Sequence, residues 1–309
     1  MATRWCCALL CLAIGTALCA TARGDDRSLI ERLGGFRVCA HRGGYFYADS
    51  NTVARFGTAL RQGVDIVETD LQVSSDGVPF LFHDTDLSPA TDCRGPISKH
   101  SASSIEHCHL RNLDQGPDRF ETALQWSRGR VVIDAELKSP MVVQPAIDLV
   151  RRYSAYEWVY FQVGAGVRLY EQARAYDGYV ALEAAPQGRD AQLALDHLLA
   201  IRDPRLVSLQ LHPDLATRPN LEAIRRSGKV ASADAFRFGI ERRVRIWPFE
   251  RVAFCTDLYQ LGINIAVTNV PESCVEQRTA AQSSSPARSR SASQTGDAAN
   301  PIDSGRPDP

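Results

Sequence analysis

Three short segments decide the fold of this chain and its chemistry: His41-Arg42-Gly43-Gly44, then Glu68-Thr69-Asp70, then Asp76-Gly77-Val78-Pro79-Phe80-Leu81-Phe82-His83-Asp84. The polar groups lie at the ends of apolar, strand-like runs. Side chains alternate faces along a strand, so Glu68 and Asp70 point the same way. Two carboxylates that close repel each other unless a cation or a proton lies between them. A hard divalent cation with oxygen ligands fits that position, and the nearby histidines are suited to moving protons.

The rest of the chain alternates strand-like and helix-like patterns, which is typical of a (β/α)8 TIM barrel. The segment 78–83 follows a turn too short for a crossover helix, so it is predicted to return as a hairpin inserted after the second strand. An open doubly wound sheet is the alternative fold. The predicted barrel strands are 36–40, 65–71, 131–137, 158–163, 179–183, 206–211, 244–247 and 263–268.

The carboxyl ends of barrel strands meet at one mouth, where active sites of such barrels lie. His41 and Arg42 follow the first predicted strand, and the hairpin would bring His83 back over the same mouth. The third predicted strand ends in Glu136 and Lys138, which share one face.

Lys138 is one of only three lysines in an arginine-rich chain. A lysine beside a carboxylate at a strand end indicates that a compact ammonium is required there, as for a phosphate oxygen. A plain salt bridge is the alternative interpretation of this pair. Similarly, an isolated Glu-x-Asp pair on a strand usually faces solvent. The combination of this pair with the other segments is what favours a functional site.

Composition and the N-terminus limit the possible partners and the compartment. A chain of 309 residues with a formal net charge of −1 gives no reason to expect nucleic acid or an anionic membrane as a partner. Residues 1–22 combine Arg4, an apolar run and small residues before Arg23, which is the pattern of a cleaved signal peptide. The mature protein is therefore predicted to be exported, either secreted or periplasmic, with no stable membrane insertion.

Export makes disulfides plausible. Cys93 and Cys108 flank one loop and are the favoured pair, with Cys255–Cys274 as a second pair. Cys39 lies inside an apolar strand and is predicted to be a buried free thiol.

These motifs resemble the glycerophosphodiester phosphodiesterases, within the phosphatidylinositol-phospholipase-C-like phosphodiesterase superfamily. That family carries H-R-G after strand one, E-x-D ending strand two, a D-G turn leading to H-D, and E-x-K on strand three. All of them occur here in that order. Trp247 resembles the tryptophan of the family's strand-seven motif, and Thr268-Asn269-Val270-Pro271 resembles its terminal T-D-x-P. The resemblance covers roughly residues 36 to 273.

The resemblance implies a metal-dependent phosphodiesterase that releases an alcohol and sn-glycerol 3-phosphate from a small-molecule phosphodiester. It implies a barrel domain over residues 23–275, and the polar composition of 276–309 predicts a disordered tail. One divalent cation, Ca²⁺ or Mg²⁺, would be present. The implied roles are metal binding by Glu68, Asp70 and Glu136, phosphate or substrate binding by Arg42, Lys138 and Trp247, and general base and acid catalysis by His41 and His83.

Several positions around the mouth depart from the family pattern. The segment Asp49-Ser50-Asn51-Thr52 replaces P-E-N-T, Gln162-Val163 replaces a serine-phenylalanine pair, and Asn269 replaces the final aspartate. The catalytic machinery is thus predicted to be kept while the pocket for the alcohol differs. Two alternatives remain: phospholipase D-like action on a lysophospholipid or sphingolipid in the same barrel, and a catalytically inactive barrel that binds a phosphorylated ligand.

Overall fold

The structure is a computed structural model that describes residues 27–44, 50–111, 113–164, 167–184, 190–238, 241–244, 250–253 and 255–284. The predicted signal peptide, Asp49 and Trp247 lie outside these residues. The strands are β1 (Arg37–Ala40), β2 (Ile66–Val73), β3 (Pro79–Leu81), β4 (Val132–Leu137), β5 (Val159–Val163), β6 (Tyr179–Glu183), β7 (Leu206–Gln210), β8 (Val230–Asp234), β9 (Glu241–Val244), β10 (Glu250–Ala253) and β11 (Ile265–Thr268).

Helices connect most of the strands. They are α1 (Leu29–Leu33), α2 (Val53–Gln62), α3 (Ala102–Glu106), α4 (Phe120–Ser127), α5 (Pro140–Arg152), α6 (Val167–Ala173), α7 (Ala191–Ala200), α8 (Arg218–Arg226), α9 (Cys255–Leu261) and α10 (Pro271–Ser284). Helix α2 shows how local sequence sets these bounds: the Thr52 side chain accepts a hydrogen bond from the Arg55 N–H at its start, and Gly63 ends it with a φ of 95°.

Eight parallel strands close into a barrel, which confirms the predicted (β/α)8 fold. Around the barrel the order is β1, β2, β4, β5, β6, β7, β8 and β11, and pairing of β1 with both β2 and β11 closes the sheet. Strand β3 lies antiparallel on the end of β2, with Leu71 opposite Leu81, as the predicted hairpin requires.

The predicted seventh barrel strand at 244–247 is wrong. The seventh barrel strand is β8, which pairs in parallel with β7 and β11. Residues Glu241–Val244 instead pair antiparallel with Glu250–Ala253, apart from the barrel. The sequence Val230-Ala231-Ser232-Ala233-Asp234 was missed because alanine and serine carry little strand preference. Its small side chains still fit between the barrel wall and its helices, where Ala231 and Ala233 are buried.

Two apolar layers hold the barrel together. Outward-facing strand residues pack against the ring of helices, whereas a smaller cluster fills the barrel interior and includes Ile66, Val132 and Tyr160. Leu29 and Leu33 of α1 join this interior cluster and are almost completely buried. The Leu29 N–H donates to a carboxylate oxygen of Glu157, which precedes β5, so α1 lies at the amino-terminal end of the strands. That leaves the opposite end available for a site.

The connection from β3 to α4 forms an insertion with its own small core of Phe80, Phe82, Leu87, Ile97 and Ile105. A disulfide joins Cys93 to Cys108 within it, as the flanking positions predicted. Cys255 and Cys274 form a second disulfide, and Cys39 is a buried free thiol.

The predicted start of a disordered tail at residue 276 is too early. Helix α10 continues to Ser284, because it is anchored by the disulfide of Cys274 and by an ion pair between Arg278 and Asp65. Residues 285–309 lie outside the described part of the chain. Among the described residues, none of the helices combines the length and the apolar character needed to cross a bilayer.

Candidate active site

Three carboxylates converge at the carboxyl-terminal mouth of the barrel. Glu68 and Asp70 alternate with Val67, Thr69 and Leu71 on β2, so both face the barrel interior. Parallel pairing places Asp70 directly opposite Glu136 of β4. One oxygen from each of Glu68, Asp70 and Glu136 lies within 4.8 Å of the others.

This concentration of negative charge is costly without a cation. Burial, together with Asp70 and Glu136, raises the pKa of Glu68 well above its usual range. Burial also raises the pKa of Glu136, although Lys138 opposes the shift. Two cationic side chains offset part of the charge, since Arg42 Nε lies 2.9 Å from Asp70 Oδ2 and Lys138 Nζ lies 2.9 Å from Glu136 Oε1.

The acid cluster fits a hard divalent cation. It offers only oxygen donors, which Ca²⁺ and Mg²⁺ prefer. Asp70 Oδ1 is buried and makes no hydrogen bond within the described residues, although Lys138 Nζ lies 3.3 Å away. Three carboxylates against two cationic side chains also leave a net negative charge, which favours the binding of a cation.

His41 follows β1 and lies beside the acids. Its Nδ1 lies 2.6 Å from Asn269 Oδ1, and because an amide oxygen only accepts, this bond places a proton on Nδ1 and leaves Nε2 as the basic nitrogen. Burial and the Arg42 charge lower the pKa of His41 to about 4. The imidazole is therefore neutral at neutral pH, and its Nε2 lies 3.8 Å from Glu68 Oε2.

His83 reaches the mouth because the chain folds back after β3. The Phe82 N–H donates to the carbonyl of Asp70, and the Gln72 side chain donates to the carbonyl of His83. His83 Nδ1 lies 2.8 Å from Asp84 Oδ1, so this bond orients the ring and leaves Nε2 for proton transfer. The structure thus brings seven of the eight predicted site residues to one mouth, and Trp247 lies outside the described residues.

Comparison with known proteins agrees with this arrangement. Residues 41–153 match the glycerophosphoryl diester phosphodiesterase family, and this segment contains both histidines and all three acids. Over this segment the chain is similar to the family. A glycerophosphoinositol inositolphosphodiesterase of Mus musculus is 40% identical over 93 residues, which are 29% of this chain and 17% of that protein. An uncharacterised Mycobacterium tuberculosis protein is 38% identical over 69 residues, and the chain spans 23% of its length.

Solved glycerophosphodiester phosphodiesterases share the barrel. A structure from Agrobacterium tumefaciens matches with a TM-score of 0.62 and 19% identity, over 79% of this chain and 99% of that one. An Oleispira antarctica phosphodiesterase in complex with the product sn-glycerol-3-phosphate matches with a TM-score of 0.62 and 20% identity, over 79% of this chain and 97% of that one. At this level of identity the likeness concerns the fold.

Two asparagines support the candidate site in ways that sequence reasoning missed. The Asn51 side chain donates to Asp70 Oδ2 at 3.3 Å and accepts from the Thr69 hydroxyl at 2.6 Å. Asn51 adopts a φ of 62°, a left-handed conformation that asparagine tolerates better than most residues. Asn269, noted only as a departure from the family pattern, is the hydrogen-bond partner of His41. Asn51 therefore orients a predicted metal ligand, and Asn269 orients a predicted catalytic side chain.

A second polar cluster at the mouth also escaped prediction. It lies at the ends of β6, β7 and β8, on the side of the barrel opposite β2. Its members, which come from separate strands and loops, are Glu183, His212, Asp234 and Arg237. No contiguous motif marks them in the sequence.

Proposed function

We propose that this protein hydrolyses glycerophosphodiesters to an alcohol and sn-glycerol 3-phosphate with the help of one divalent cation. The observation that carries the proposal is the convergence of three carboxylates, two cationic side chains and two histidines at one barrel mouth. The product complex of the Oleispira antarctica phosphodiesterase supports the assignment of product.

Glu68, Asp70 and Glu136 would hold the cation, Ca²⁺ or Mg²⁺. A bound divalent cation withdraws charge from phosphoryl oxygens and stabilises the extra negative charge of the transition state. Arg42 and Lys138 would bind the remaining phosphate oxygens, since guanidinium and ammonium groups both form strong charge-assisted hydrogen bonds to phosphate. Trp247 would contact the substrate, on the family resemblance alone.

The two histidines would move protons in opposite directions. The neutral His41, with Nε2 unprotonated, takes a proton from the attacking hydroxyl or water as the new P–O bond forms. His83 gives a proton to the departing alkoxide as the other P–O bond breaks. Asn269 and Asp84 keep the two rings oriented during these transfers.

The two alternatives receive less support. Action on a lysophospholipid or sphingolipid would need an apolar surface beside the reacting phosphate, whereas the described mouth carries charged and amide side chains on both sides. An inactive barrel would not need both histidines to be hydrogen bonded with one nitrogen left for proton transfer.

The decisive test is release of glycerol 3-phosphate from glycerophosphodiesters by the purified mature protein, with Ca²⁺ or Mg²⁺ and with EDTA. We expect release that EDTA abolishes and that either metal restores. Absence of release from every glycerophosphodiester tested, with both metals supplied, would contradict the proposal. Choline release from a lysophospholipid or sphingomyelin would support the lipid alternative.

We also propose that residues 1–22 direct export and are removed. The two disulfides are compatible with an oxidising compartment. Intact-mass measurement of protein recovered from the periplasm or medium should give a chain that begins near Arg23. A full-length chain retained in the cytoplasm would contradict this.

A further inference from the structure

The polar cluster opposite β2 is built around one guanidinium group. Arg237 donates to Glu183 Oε1, and its Nε lies 2.9 Å from Asp234 Oδ2. His212 Nε2 lies 3.3 Å from Glu183 Oε1 and 3.1 Å from Arg237 Nη1. Gln210, the last residue of β7, donates to the other Asp234 oxygen at 2.6 Å, so a strand of the barrel holds the cluster in place.

The outer members of the cluster remain accessible from the mouth. The Arg237 side chain is 37% exposed, while Asp234 beneath it is 5% exposed. Glu136 is among the charges that act on Asp234 and Arg237, so the cluster faces the acid side of the mouth.

The hydrogen-bonding capacity of this cluster matches a hydroxyl-rich ligand. A carboxylate accepts, a guanidinium donates, and an imidazole does either, whereas each hydroxyl group both donates and accepts. A trimethylammonium group makes no such hydrogen bonds.

An apolar occupant is the main competitor. A cavity of about 760 Å³ begins beside Glu183 and is lined by Leu182, Leu198 and Ile201 as well as by charged residues. An acyl chain joined to a phosphate at the mouth would have to cover Glu183 and Arg237 to enter it. Covering these charged groups with hydrocarbon is unfavourable, because their exposed parts lose their hydration.

We propose that Glu183, His212 and Arg237 form the subsite for the alcohol group of the substrate and select a polyol, such as inositol or glycerol, over choline or an acyl chain. This inference rests on the proposed phosphodiesterase activity. The phosphate lies between Arg42 and Lys138 on the β2 side, and the alcohol extends across the mouth to the β6–β8 side. These three residues then determine which alcohol fits.

The test compares kcat/KM for glycerophosphoinositol, glycerophosphocholine and a lysophospholipid in the wild type and in Glu183→Gln. The wild type should prefer glycerophosphoinositol, and the substitution should lower the glycerophosphoinositol-to-glycerophosphocholine ratio by about tenfold, since a site built to bind hydroxyl groups discriminates strongly by them. Glu222→Gln is the matched control, because Glu222 forms the same kind of pair with Arg225 on the exposed face of α8.

Circular dichroism would verify that each variant folds, and Arg237→Lys provides a second variant with the charge retained but the planar fork removed. Free myo-inositol should inhibit the wild type more strongly than free choline, and Arg237→Lys should weaken this inhibition. Three results would overturn this inference without contradicting the proposed activity. They are equal kcat/KM values for all the substrates, an unchanged ratio in both variants, and a preference for the lysophospholipid. Failure of the wild type on every glycerophosphodiester would instead contradict the proposed activity on which it rests.

Discussion

Both sides of the barrel mouth bring carboxylates close together, but cationic side chains are arranged differently around them. On the β2 side, three carboxylates converge and two cationic side chains leave them with excess negative charge. On the β6–β8 side, Arg237 lies between Glu183 and Asp234 and pairs with both carboxylates. The β2 side therefore offers converging oxygen ligands to an external cation, whereas the β6–β8 side already holds a cationic side chain between its two acids.

The pKa shifts express this difference. Burial and neighbouring acids raise the pKa of Glu68 well above its usual range. Burial also raises the pKa of Asp234, to about 7, although Arg237 opposes the shift. Burial by itself would lower the pKa of Arg237, but Asp234 and Glu183 outweigh it and the pKa is raised. The proposed metal binding and chemistry thus belong to the β2 side, and the proposed ligand selection belongs to the other side.

The largest effect should follow removal of a carboxylate from the β2 side. Glu136→Gln should lower kcat/KM by about 10³-fold, because a bound cation supplies several kcal/mol of transition-state stabilisation. The measurement is glycerol 3-phosphate release at saturating Mg²⁺ or Ca²⁺, with Glu222→Gln as the control. Wild-type kinetics in Glu136→Gln would contradict metal binding by the β2 acids, and with it the distinction between the two sides.

Loss of the general base should cost less. His41→Ala is expected to lower kcat by about 10²-fold, the lower range for general acid–base catalysis. The pKa of about 4 for His41 means that the base stays unprotonated down to mildly acidic pH. Asn269→Asp should raise the pKa of His41, because a carboxylate favours the imidazolium. The acid limb of its pH–rate profile should then move to higher pH. If the limb does not move, His41 is not the group whose protonation limits the rate.

The insertion above the β2 side should depend on its disulfide. Replacing both Cys93 and Cys108 by serine should destabilise the protein by about 3 kcal/mol, the loop-entropy estimate for a closed loop of 15 residues. Thermal unfolding under oxidising conditions measures this. If the loss is confined to the insertion, kcat/KM should fall through displacement of His83 while the Glu183-dependent selectivity is unchanged.

Metal-free stability should show the smallest effect, and it has a definite sign. Because the folded-state pKa of Glu68 is raised, folding favours its protonated form, so its contribution to stability is present at low pH and is lost as pH rises through the folded-state pKa. Glu68→Gln should therefore raise the melting temperature of EDTA-treated protein at alkaline pH by roughly 2–4 °C, equivalent to about 1 kcal/mol. An unchanged melting temperature at every pH would show that ionised Glu68 does not destabilise the metal-free protein.

Sequence reasoning anticipated the β2 side far better than the β6–β8 side. Each predicted residue of the β2 side belongs to a short contiguous motif, and strand alternation alone places Glu68 beside Asp70. In the cluster on the other side, Arg237 lies 25 positions from His212 and 54 positions from Glu183, so only the closed barrel brings these three residues together. Strand β8, which carries Asp234, was itself missed because of its alanine and serine content.

Backbone conformation and tertiary contacts explain the other features that the sequence did not predict. Asn51 adopts a positive φ, and hydrogen bonds to Thr69 and Asp70 hold its side chain in place. Helix α10 has a composition typical of a disordered segment, yet Cys274 and Arg278 attach it to the barrel. In both cases a contact distant in sequence decides the local structure.

Calorimetric titration of Mg²⁺ or Ca²⁺ into EDTA-stripped, dialysed protein tests the central distinction most directly. We predict one ion per chain for the wild type and for Glu183→Gln, and loss of binding in Glu136→Gln. Binding that is abolished by Glu183→Gln but retained in Glu136→Gln, or no binding to the wild type, would contradict the assignment of the metal to the β2 side.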